Sequence, residues 1–256
     1  MPRHGVAAAA ADTRRTSPPL AGFAGFRPAS LRFLRALARH NERAWFEAHR
    51  PEYELEVLGP LRAFVEEIDD RLARIAPEIC GNARRSVFRI HRDVRFSHDK
   101  RPYKQHAACW FYHRDSDAKV GRDGGGAGFY FHLEPGRCQL GGGLWMPGRD
   151  VLTALRDAIH DDPRGFARAA DSPVMRRRFG GLSDEAVLTR MPRGFDESHP
   201  AARWLRYKSF TAGRMMPDSE VLRPDLATRV ARDYAALVPL VRWLNGALSL
   251  KAAAKR

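Results

Sequence analysis

Apolar residues recur every three to four positions early in the chain: Leu31, Leu34, Leu37 and Ala38, then Trp45 and Phe46 with His49. That spacing gathers them on one helical face and predicts two short helices turning at His40-Asn41. Pro51 lacks an amide hydrogen and collides with the turn before it, so it should end or kink the second. Gly59-Pro60 then opens a third helix, with Leu61, Phe64, Val65, Ile68, Leu72 and Ile75 along one stripe. From Ser86 the period drops to two. Phe88, Ile90, Val94 and Phe96 are apolar while Arg89, His91, Asp93 and Arg95 are polar, which predicts a strand with one packed and one charged face, broken only by Arg92.

Further strands are expected over residues 103–112, 128–134 and 137–145. A polar, Gly-rich loop, "HRDSDAKVGRDGGGAG", joins the first two, and Glu134-Pro135-Gly136 makes a tight turn between the last two, an antiparallel hairpin. Helical spacing returns after Pro147-Gly148 with Val151, Leu152, Leu155 and Ile159. Short helical pieces broken by Pro163, Pro173, Pro192 and Pro200 follow. A last stripe runs through Leu226, Val230, Tyr234, Leu237, Val241, Leu244 and Leu248, interrupted at Pro239. There is no internal repeat. Helices, then consecutive strands, then helices predict an α+β fold: a central, mostly antiparallel sheet flanked by N-terminal and C-terminal helices, not alternating βαβ units.

Composition narrows the class. With 256 residues, 44% hydrophobic and 29% charged, the chain reads as one globular α+β domain over 22–250. Before it, residues 1–21 read as a disordered tail, although their Ala/Arg bias also suits an organelle-targeting leader. Residues 251–256 form a basic tail. No run of about 18 apolar residues occurs, so a soluble protein without a membrane partner is expected. Cys80, Cys109 and Cys138 are odd in number, far apart and without CxxC spacing, which argues against a disulfide framework or zinc knuckle and for a reducing cytoplasm.

Charge is the strongest chemical signal. The formal net charge is +14, which favours anionic partners, and residues 84–104 concentrate it: eight Lys and Arg against Asp93 and Asp99. Eight cations cannot be buried there unless acids from elsewhere or a bound anion neutralise them, because an uncompensated buried ion costs several kcal/mol. The helical acids Glu52, Glu54, Glu56, Glu66, Glu67 and Asp69 are one source of neutralisation, in a purely structural or partner-docking network. The favoured reading is a site for a small anionic ligand, phosphate or carboxylate. Arg89, Arg92, Arg95, Lys100 and Lys104 would contact it, with Asp93 and Asp99 orienting the cations.

The turn "SHDKRPYK" also offers a catalytic corner, in which Lys100 or Tyr103 protonates a leaving group and Ser97 attacks beside Asp99. No base for Ser97 is evident from spacing, so a structural corner is the plainer reading. Nucleic-acid binding is the alternative from another class, supported by basicity but by no recognised motif.

"LGGGLW" lacks GxxxxGK[ST] and GxGxxG spacing, so no nucleotide cofactor is expected. Gly141, Gly142 and Gly143 read instead as a bulge or a close approach of backbone or ligand, and Trp145 as core or a pocket wall. No HxH, HExxH or linked His/carboxylate triad is visible, so no metal is expected. Arg206 and Lys208 are secondary contacts beside core residues Tyr207 and Phe210, and Arg176 to Arg178 read as a solvated face.

"FRIHRDVRFSHDKRPYK" resembles the signature of the domain of unknown function 2461 family. Arg92, Asp93, Arg95, Phe96, Ser97, Asp99, Lys100, Pro102, Tyr103 and Lys104 match its pattern. "FLRALARHNERAWFEAHRPEYE" is similar to the family's opening, with His40 where Asn is usual; "GFYFHLEPG", "LGGGLWMP" and "WLRYKSF" follow it too. The resemblance spans about residues 23–250 and implies one mixed α/β domain, found mainly in bacteria. It lends no activity.

Overall fold

The structure, a computed structural model, describes residues 23–95, 98–116 and 125–250. The two tails, Phe96, Ser97 and the middle of the Gly-rich loop lie outside these ranges. The helical opening comprises α1 (Pro28–Arg39), α2 (Arg43–Ala48) and α3 (Arg50–Tyr53). The chain turns at His40–Glu42, and α2 gives way at His49, just ahead of Pro51 in the first turn of α3, where a missing N–H is harmless. No fresh start occurs at Gly59-Pro60. A π-helical turn, Glu54–Leu58, runs straight into α4 (Gly59–Ile75). Pro60 would press on the carbonyl four residues back, and a wider turn, in which the Gly59 amide donates to Glu54 O, carries the helix past it.

Five strands follow: β1 (Ile79–Cys80), β2 (Ala107–His113), β3 (Gly128–Leu133), β4 (Cys138–Leu144) and β5 (Phe210–Met216). They form one antiparallel sheet in chain order. Between β4 and β5 lie α5 (Arg149–Asp161), α6 (Pro163–Ala170), α7 (Pro173–Phe179) and α8 (Ala202–Leu205); α9 (Asp218–Val221) and α10 (Leu226–Ala247) close the fold. The architecture is α+β. Among the described residues no helix is long and apolar enough to cross a membrane, and all three cysteines are free.

Three expectations are corrected. The described part of the segment, residues 87–95, is not a ladder strand: it meets its neighbours through isolated bridges, Val87 opposite Cys109 and His91 opposite Tyr103. Pro102 explains part of this, since it accepts from the Arg92 amide at 2.9 Å but has no N–H to return. The alternation still sets the faces, with Ile90 buried and Arg89, His91, Asp93 and Arg95 exposed. Second, β5 was not anticipated, for "FTAGRMM" has neither strict alternation nor a β-branched run. Third, α10 passes through Pro239 unbroken, its buried side chains on both sides holding it to the core.

Registry assigns the faces. Phe111 lies across from Phe129 and Phe131 across from Leu140, and this side packs on α4 and α10: Phe64 meets Phe131 at 4.4 Å and Tyr234 stacks on Phe129 at 4.5 Å between ring centroids. The opposite side carries Trp110, Tyr130, Gly141 and Gly213 in one cross-strand row, and Ala108, His132, Gln139 and Met215 in the next.

Candidate functional site

That second face holds a concavity of about 820 Å³. Its floor is backbone, because Gly141, Gly143 and Gly213 have no side chains to fill it. The same glycines let the strands approach: a Cβ on Gly143, at φ +127°, would sit 2.0 Å from Phe210 O, and one on Gly213 2.3 Å from Leu140 O. The walls are Phe88, Trp110, Tyr130, Trp145 and Met215. Trp145 is 68% exposed and Met215 55%, unusual for such large apolar groups and both at this one place. The buried indole N–H of Trp110 finds no acceptor among the described residues.

Within the basic motif, Asp93 and Asp99, not the helical acids, bind three of the arginines: Arg92, Arg95 and Arg101. Asp93 receives the Arg95 fork at 2.9 and 2.7 Å; Asp99 receives Arg101 at 2.9 and 2.6 Å and also Arg92. These guanidiniums hold both carboxyls well below their usual range. Glu56 and Glu67 instead pair with Arg27 and Arg71, and Asp69 accepts from the Gly81 amide. Lys100 Nζ donates to Val94 O at 3.1 Å.

Tyr103 is 2% exposed with its ring stacked on Phe46 at 4.2 Å, Asp99 is engaged by two arginines, and Ser97 lies outside the described residues. Arg206 meets Glu197 at 3.5 Å, and Lys208 bonds through its backbone to Ala186. Arg178 is no solvated cation: it bonds Asp233, which is 2% exposed.

Three motif cations, Arg89, Lys100 and Lys104, have no carboxylate in bonding reach among the described residues, and Lys100 is taken up by a backbone carbonyl. Arg89 is exposed. Lys104 is half-buried, its ammonium 5.4 Å from the centroid of Phe88, a wall of the concavity. Burial, and then the Arg89 charge, push its pKa down. Lys104 thus connects the motif to the cleft.

A second polar group, which spacing alone did not reveal, adjoins Tyr130, one of the cleft's walls. Tyr130 Oη is 2.9 Å from His132 Nδ1, and His132 Nε2 is 2.9 Å from Glu134 Oε2. His106 stacks on His132 at 4.2 Å, and donor atoms of His106, His132 and Glu134 all lie within 4.8 Å of one another, close enough to hold a metal ion. Burial is the main cause of the depressed basicity of both rings, with His106 held at about 4. The available signal was parity: Tyr130, His132 and Glu134 share one strand face. Their partner His106 needs the register, Ala107 opposite Leu133, which continued by one residue sets His106 across from Glu134.

A search among curated proteins finds no match, and neither does one among solved structures. The model of the family described as "Conserved hypothetical protein (DUF2461)" matches residues 29–243, from α1 to near the end of α10 and including the cleft, the motif and the His106–His132–Glu134 group. The chain therefore belongs to the DUF2461 family.

Proposed function

We propose that this protein binds a small molecule with a flat apolar body and one anionic group. The body lies on the glycine floor between Trp110, Tyr130 and Trp145, and the anion meets Lys104, with Arg89 beside it. The observation that carries the reading is Lys104: a half-buried ammonium at the edge of an aromatic-walled cleft, with no acid in bonding reach among the described residues. A cation held that way stays charged at a cost that a bound anion removes. The unmatched Trp110 donor supports the same reading, since leaving such a group unbonded costs about 1–3 kcal/mol. Arg92, Arg95 and Arg101 serve the structural network, as their forks with Asp93 and Asp99 favour. The three free thiols support a reducing compartment such as the cytoplasm.

Anilinonaphthalene sulfonate combines both ligand features, and phenylnaphthylamine has the body without the charge. Both should bind the native protein, followed by fluorescence, and Trp145→Ala should weaken both. Lys104→Gln should weaken only the sulfonate, by about tenfold, equivalent to one charge-assisted hydrogen bond of ~1.4 kcal/mol. Absence of binding, or equal loss of both dyes in Lys104→Gln, contradicts the proposal.

A further inference from the structure

We infer that His106, His132 and Glu134 form a binding site for one divalent transition-metal ion of the zinc and iron(II) class. The inference rests on these three side chains and not on the cleft's ligand. Two donors about 2.1 Å from one ion in tetrahedral geometry stand about 3.4 Å apart. The three groups, already within 4.8 Å of one another, need side-chain adjustments on the order of an ångström to close on it.

The scaffold is suited to precision. His132 sits in the β3 ladder, and Glu134 and His106 each stand one residue beyond its last pair, Ala107 opposite Leu133, so all three donors are anchored at one end of a paired strand couple. Tyr130 Oη already contacts the far nitrogen of His132, the outer contact that fixes a ligating imidazole's orientation and tautomer.

Donor chemistry selects the ion. Two imidazoles and one carboxylate suit zinc, iron(II), cobalt or nickel; calcium and magnesium prefer all-oxygen sets, and copper(I) prefers sulfur. Three protein donors leave coordination positions open, as in a reactive site rather than a closed structural one. Without metal, His132 Nε2–H donates to Glu134 and Nδ1 accepts from Tyr130. On binding, Nε2 gives its proton to solvent and coordinates; Nδ1 takes one up and donates to Tyr130 Oη, so the ring stays neutral. The charges facing the group are cationic: Lys104 and Arg92 toward His106, and Arg137 with its guanidinium 4.0 Å from Glu134. They temper affinity for the ion and favour an anion in the open positions.

The test uses the full chain, stripped of metal by chelator. Zinc chloride is titrated by calorimetry, and cobalt chloride by visible absorption, which reports nitrogen and oxygen coordination directly. One ion per chain is expected at micromolar protein. His106→Ala and Glu134→Gln should each weaken binding at least tenfold, and Tyr130→Phe about tenfold. His199→Ala, in the separate stacked pair with His160, should change nothing. Circular dichroism confirms that each variant is folded. Failure of wild type to bind either ion, or equal affinity in folded His106→Ala and Glu134→Gln, overturns the inference.

Discussion

Two asparagines act here as a strand neighbour would. Asn41 donates from Nδ2 to Tyr103 O at 3.1 Å and accepts from the Tyr103 amide at 3.0 Å; Asn245 does the same for Ala127 at 3.1 and 2.7 Å. Each satisfies both backbone groups of its residue on a side where no described strand offers partners; Tyr103's bridge to His91 uses the amides and carbonyls of its neighbours instead. Asn41→Ala strands the amide and carbonyl of a buried tyrosine, so a loss of ~1–3 kcal/mol in denaturant unfolding is expected. A change of only a few tenths would mean that water takes over the role. In the sequence His40-Asn41 is legible only as a turn between helices, because the backbone it serves lies 62 residues away. His132 and Glu134 differ: their shared face follows from strand parity alone, and only their meeting with His106 required the fold.

Elements were legible where one physical cause dominated. The stripes of α1, α4 and α10 and the hairpin β3–β4 follow directly from period and turn chemistry. Elements set by neighbours were not. β5 exists because β4 offers it a glycine edge close enough to pair, a fact about two segments about seventy residues apart. Gly143→Ala tests that closeness. Its Cβ would meet Phe210 O at 2.0 Å, so β4 and β5 must part, at upwards of about 3 kcal/mol. Gly136→Ala is the comparison: φ is +77° but no atom lies within 4 Å, and only the left-handed backbone cost of ~1–2 kcal/mol is expected. Equal losses of denaturation midpoint in the two variants would remove strand approach as the reason for Gly143.

At the scale of the whole molecule one ionic network ties four elements together. Asp233 of α10 accepts from Arg178 of α7 at 2.5 Å and from Arg214 of β5 at 3.0 and 2.8 Å; Arg214 also bonds Glu220 of α9 at 2.9 and 2.5 Å. Asp233→Ala leaves two guanidiniums facing one remaining acid, and calorimetric unfolding should show a loss of ~3–5 kcal/mol. Arg214 holds Glu220 below its ordinary value of 4.5. The unfolded chain therefore binds that proton first as pH falls. The stabilisation is complete above the unfolded pKa and is lost as pH drops through the folded one. Melting temperature should decline between about pH 5 and pH 3, less steeply in Glu220→Gln. An unchanged slope would separate Glu220 from acid sensitivity.

The sequence by itself determined the α+β class, the helix and hairpin signals, the phase of the charged segment and, through its motif, membership of the family. Each is a short-range property: a period, a turn or a run of residue types. Tertiary structure alone decided which acids neutralise which arginines, that Lys104 stands at an aromatic cleft, and that His106 meets His132 and Glu134. Those outcomes depend on strand register and on competition among many possible ion pairs. Neither leaves a local pattern, because the free energy that selects them belongs to contacts between segments far apart along the chain.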